Sequence, residues 1–179
     1  MTQSRLLIVA VALGCAVPLP AAAQELYLGG SFHSVDLPTS LDTGEHGHDL
    51  QFGVRSAPIA ALDGIGSPSA YLHGQVSLDG QTSLAAAGLS WKLGKGKLYV
   101  RPGVGLALHT DRMPDFLPDG TRIDLGSRVL FEPELAVGLR LNPKLAAELS
   151  WVHVSHAQLF GGQNPGMDFL GARLVLKLK

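Results

Sequence analysis

From residue 25 onward, apolar and polar positions alternate with a period of two. Leu98, Val100, Pro102, Val104, Leu106 and Leu108 share one parity, and Tyr99, Arg101, Gly103, Gly105, Ala107 and His109 share the other. Val129, Phe131, Pro133, Leu135, Val137 and Leu139 likewise oppose Arg128, Glu132, Glu134, Gly138 and Arg140. Side chains of a strand point alternately to its two faces, so each parity is one face. The pattern predicts eight strands, over 25–35, 48–56, 69–78, 83–93, 97–109, 128–141, 145–156 and 168–178. Strands of about ten residues suit tilted crossings of a bilayer.

An apolar face has two uses in a barrel. It lines a dry core in a soluble barrel, and it faces lipid in a membrane barrel. The polar parity here carries Arg55, Lys92, Arg101, Glu132, Glu134, Arg140, Glu148 and Arg173, interspersed with glycine. Mixed charges can pair inside a narrow lumen, and glycine relieves crowding there. The chain is therefore expected to be all-β, an antiparallel transmembrane barrel of about eight strands. Trp91 and Trp151, on the apolar parity, read as lipid-facing anchors.

The first residues support this reading. Arg5 ends a polar start, an apolar run follows from Leu6, and Ala21-Ala-Ala23 offers a small-residue cleavage site. Residues 1–23 are expected to be a signal peptide and 24–179 the barrel. Pro18 and Pro20 argue against a membrane helix in this segment. Gly14 before Cys15 keeps a lipoprotein signal as the alternative. Cleavage after Ala23 removes the single cysteine, and with it disulfide and thiol chemistry.

Charge narrows the partners. The formal net charge is −1 and there is no Lys/Arg run, which argues against nucleic acid. With the termini on the periplasmic side, the connections at 94–97 and 142–144 become short periplasmic turns. Those at 110–127 and 157–167 become long outer loops, the asymmetry expected of such barrels. Asp79-Gly80 reads as a tight outer turn. The 60–68 connection is long for a periplasmic turn.

Two neighbouring segments carry the candidate chemistry. Leu145, Ala147, Leu149, Trp151, His153 and Ser155 share a face, and so do Asp168, Leu170, Ala172, Leu174, Leu176 and Leu178. A serine, a histidine and a carboxylate thus meet at the outward ends of adjacent strands, on faces that are otherwise apolar. A serine hydroxyl is a weak nucleophile until a base takes its proton, and the base needs a third group to fix its tautomer. His-x-Ser alone is common by chance; the shared face and Asp168 make it a candidate site.

His153-Val-Ser155, the segment Asn164-Pro-Gly-Met-Asp168 and the apolar last strand resemble the PagL-type outer-membrane lipid A 3-O-deacylases. That resemblance implies a small eight-stranded barrel with a Ser-His-acid triad on its outer wall. It implies Ser155 as nucleophile, His153 as base, Asp168 as orienting acid, and Asn164 as the oxyanion or substrate-positioning residue. The implied substrate is the ester-linked acyl chain at the 3 position of lipid A, in lipopolysaccharide of the outer leaflet. The implied location is the bacterial outer membrane. The chain departs from the family pattern in carrying His156 after the serine, where asparagine is usual. It also lacks the glycine expected soon after, and has aspartate where a well-known member has glutamate.

The chemistry calls for no cofactor or metal. Glu45-His-Gly-His48-Asp49 has ligand-type residues but no clear partner cluster. Two rival functions stay open: a non-enzymatic small barrel with a structural or adhesive role, and a soluble lipid-binding barrel of lipocalin type. Oligomeric state is left open by the sequence.

Overall fold

The computed structural model describes residues 23–110, 115–116, 120, 122–123, 125–156 and 164–178. The predicted export segment falls outside the described residues, apart from Ala23. Eight strands close into an antiparallel barrel: β1 (Ala23–His33), β2 (Gly47–Pro58), β3 (Ser69–Ser77), β4 (Leu84–Ser90), β5 (Leu98–His109), β8 (Val129–Arg140), β9 (Leu145–Val154) and β10 (Met167–Lys177). Two short strands, β6 (Asp115–Phe116) and β7 (Arg122–Ile123), pair in the connection between β5 and β8. The barrel closes where β1 pairs with β10, Glu25 opposite Lys177 and Phe32 opposite Leu170. Closure leaves no free edge, so every strand finds backbone partners within the barrel.

The parity rule predicts the two faces. Leu98, Leu149, Leu108 and Phe32 point outward and are 60–68% exposed, as their parity requires. Seven barrel strands contribute such residues to one apolar outer band, and β4 adds the exposed Ala85 and Ala87. A water-soluble protein does not present aliphatic surface on that scale. A barrel with its apolar face outside belongs in a membrane, which removes the soluble lipocalin-type alternative.

The interior is divided lengthwise, which the sequence reading did not anticipate. Towards the end where β1 begins and β10 ends, Glu148 is the hub of an ion network. Arg55 Nη2 and Arg173 Nε donate to it at 3.0 and 2.8 Å, and Tyr99 Oη donates at 2.8 Å. Arg173 also forks onto Glu134 at 2.8 and 3.1 Å. Glu25 joins through Arg101 at 2.7 Å and Lys92 at 2.8 Å. Arg140 instead donates to the Gly94 carbonyl, and Glu132 receives the Tyr71 hydroxyl in place of an arginine. Gly138 lies under the Tyr99 ring, where any β-carbon would collide with it.

Towards the opposite end, where the long connections lie, a buried apolar cluster stands beside the polar group of His33, Asp49 and Gln75. Leu125, Leu130, Val152, Val154, Met167 and Phe169 are among a buried apolar cluster there. Leu125 comes from a loop and not from a strand. This plug backs the ends of β9 and β10 on their inner side. The long 60–68 connection is explained by a 3-10 helix, Ala60–Ile65, at the end where β1 begins. Trp91 donates its indole N–H to the Ile65 carbonyl at 2.7 Å, so it fastens that turn as well as facing outward.

Candidate active site

The register of β9 and β10 sets the site. Asp168 is the direct cross-strand partner of His153, with Leu170 opposite Trp151 and Met167 opposite Val154. Directly opposed residues on one face bring their β-carbons to about 4.5–5.5 Å, close enough for a histidine and an aspartate to meet. His153 Nδ1 lies 3.0 Å from Asp168 Oδ1. A carboxylate offers only lone pairs, so the proton of this bond sits on Nδ1 and Nε2 carries the free pair.

Asp168 is fully buried, at 0% exposure, although its parity is the outer one. Side-chain donors, Ser40 among them, compensate that burial. Oδ1 also receives the Trp151 indole N–H at 2.7 Å, and Oδ2 receives the Thr39 hydroxyl at 2.7 Å. A buried charge persists only when it is bonded in this way. The expectation that Trp151 is simply a lipid anchor is therefore corrected. Its ring lies on the outer wall, stacked at 6.1 Å from the His153 ring, and its N–H holds the carboxylate.

His153 is 9% exposed and is packed from above by Gly166. A β-carbon at Gly166 would stand 2.8 Å from His153 Cε1, and the residue has φ +64°. Both the left-handed conformation and the close approach call for glycine. The residue was visible in the sequence, in Asn164-Pro-Gly-Met-Asp168, but its function needed the ring beside it.

Ser155 follows His153 by two residues on the same outer parity and is half-buried. Its backbone N–H and carbonyl bridge Phe131 of β8 at 3.1 and 2.7 Å, which extends β9 to this point. Asn164 Oδ1 accepts the His156 backbone N–H at 3.1 Å, so the two sides of the connection between β9 and β10 are tied together. The His156 side chain is fully buried and has the lumen parity. The departure from asparagine after the serine therefore places a ring inside the barrel and not on the wall that carries Ser155. Ala157 and Gln158, which stand where the family has a glycine, lie outside the described residues.

Glu45 and Asp49, noted for ligand-type chemistry, flank His33 instead. Glu45 lies 2.9 Å from Nε2 and Asp49 lies 2.8 Å from Nδ1. His48 stands 3.6 Å from Asp79. Among the described residues no three His, Cys, Asp or Glu side chains are grouped to hold a metal ion.

An outward apolar belt, a closed eight-stranded barrel and a buried His–Asp pair on the outer wall define a small outer-membrane barrel with enzyme-like polar chemistry at its rim. Residues 60–177 match the family described as Lipid A 3-O-deacylase (PagL), and the chain belongs to that family. It is an outer-membrane protein of the Gram-negative type. The crystal structure of the outer membrane enzyme PagL is similar over 88% of this chain and 100% of that one, with TM-score 0.57 and 13% identity. Neisserial surface protein A is similar over 86% and 96%, with TM-score 0.54 and 12% identity. A de novo designed transmembrane β-barrel is similar over 88% and 96%, with TM-score 0.51 and 9% identity. No curated protein sequence matches the chain. At these identities the structural likenesses speak for the fold alone.

Proposed function

We propose that the protein is a lipid A 3-O-deacylase, a serine ester hydrolase that removes the acyl chain esterified at the 3 position of lipid A. The observation that carries this reading is the buried Asp168 joined to His153 Nδ1 on the lipid-facing wall, with Ser155 two residues on. A designed barrel and a surface protein share the fold, so the barrel alone does not choose an activity. A carboxylate buried on an outward-facing parity is costly unless it serves something, and here it orients an imidazole.

In the proposed reaction, His153 Nε2 takes the Ser155 hydroxyl proton as the oxygen attacks the ester carbonyl. The tetrahedral intermediate collapses with cleavage of the acyl C–O bond. His153 returns the proton to the departing sugar hydroxyl, and the acyl group remains on Ser155. Water, deprotonated by the same imidazole, then releases the fatty acid and restores Ser155. Asp168 stays ionised throughout and stabilises the imidazolium. Asn164 is assigned to substrate or oxyanion positioning: its Oδ1 is engaged by His156, which leaves Nδ2 as the donor. The site lies at the loop-bearing end, assigned to the outer leaflet, where the sugar would sit at the interface. The aliphatic wall below, with Leu149 and Leu170, would receive the acyl chain. No step needs a metal or cofactor.

The test is purified, refolded protein incubated with lipid A in detergent micelles. The expected result is release of one fatty acid and a lipid A product lighter by the 3-position acyl group. Unaltered lipid A from folded protein would favour the non-enzymatic barrel.

A further inference from the structure

We propose that Thr39, in the first long loop, is a positioning residue for Asp168, and that this loop completes the active site. The proposal rests on the deacylase reading above. The loop spans residues 34–46, between β1 and β2. It lies wholly before residue 60, where the family match begins. The Thr39 hydroxyl donates to Asp168 Oδ2 at 2.7 Å, the oxygen that neither His153 nor Trp151 uses. Thr39 and Asp168 are 129 positions apart in sequence.

The contact is built into the fold. The Val35 N–H donates to the Asp168 carbonyl at 2.8 Å, and the Leu41 N–H donates to the Pro165 carbonyl at 2.7 Å. These two bonds bracket Thr39 and lay its segment along the start of β10. The far end of the loop is held from another direction. Glu45 accepts from the Thr82 N–H at 3.1 Å and its hydroxyl at 2.9 Å, and it faces His33 at 2.9 Å. A loop fixed at both ends presents its hydroxyl in one place.

The consequence is chemical. With both oxygens engaged, the carboxylate cannot rotate about its Cβ–Cγ bond, and Oδ1 stays aimed at Nδ1 of His153. Thr39 also draws charge from the carboxylate. His153, Thr39, Ser40 and Trp151 are among the side chains bonded to Asp168.

The experiment compares the full mature protein with its Thr39→Val, Thr39→Ser and Ser155→Ala variants on lipid A in detergent micelles. Folding of each is checked by heat-modifiable gel mobility. Thr39→Val keeps the shape and removes the donor. It should lower kcat by roughly tenfold or more, the order expected for one hydrogen bond to a charged group, with KM unchanged. Thr39→Ser should restore kcat. Parental kcat in Thr39→Val, a loss that serine does not restore, or a loss confined to KM would each overturn the proposal. An inactive parent, or an active Ser155→Ala, would overturn the deacylase reading and this proposal with it. An active parent and a dead Ser155→Ala beside a normal Thr39→Val would sink the Thr39 assignment alone.

Discussion

Trp151 donates its indole N–H to the Asp168 oxygen that also faces His153, at 2.7 Å. One residue of β9 thus holds the carboxylate that orients another residue of the same strand, two positions along. The indole ring stacks beside the His153 ring at 6.1 Å while its N–H bonds the carboxylate. Trp151→Phe keeps the ring and deletes the donor. Deacylation should fall by about tenfold, as for loss of one hydrogen bond to a charged group, with gel mobility of the folded barrel unchanged. The check is the rate of fatty-acid release per folded molecule.

Gly166 sets the position of the imidazole from the other side. A β-carbon there meets His153 Cε1 at 2.8 Å, and φ +64° adds backbone strain of about 1–2 kcal/mol for a non-glycine residue. Gly166→Ala should push the ring away from Ser155 and cut the rate by about 10²-fold, the effect of a misplacement near 1 Å. The barrel should still fold, because Gly166 lies outside the strands. Parental activity in this variant would mean that the ring position is not critical.

The ion network should matter for stability and not for catalysis. Glu148 receives Arg55, Arg173 and Tyr99 inside the lumen, at the opposite end from the site. Arg173→Ala or Glu148→Ala leaves buried charges unpaired, a cost of about 3–5 kcal/mol. The unfolding temperature should drop, while the folded fraction keeps its rate. A normal unfolding temperature with lost activity would show that scaffold and site have been exchanged.

The sequence made the strands and the His153–Asp168 meeting legible for a physical reason. Period-two alternation needs no long-range information, and β9 and β10 are consecutive strands joined by one connection. Their residues could be aligned across it by parity alone. Thr39 was not legible, because β1 lies beside β10 only once the barrel has closed. The polar end of Trp151 was hidden by its outward parity, which fits a lipid anchor equally well until the register sets Asp168 beside it. Glu25, Tyr71 and Tyr99 escaped notice as lumen partners for a similar reason: their roles depend on which strands face each other across the interior. The apolar plug draws Leu125 from a loop, where no periodicity announces an inward side chain.

Ser155 is the nucleophile of the proposed reaction. Its most direct test is lipid A mass spectrometry from cells expressing the parent, Ser155→Ala or His153→Ala, with folding confirmed by gel mobility. The parent should yield lipid A that has lost its 3-position acyl chain. In a comparable triad, loss of the nucleophile or the base costs on the order of 10⁶ in rate, so both variants should leave lipid A intact. Both side chains lie on the outer wall, so neither change opens a hole in the core. Lipid A deacylated as fully by folded Ser155→Ala as by the parent would contradict the assignment.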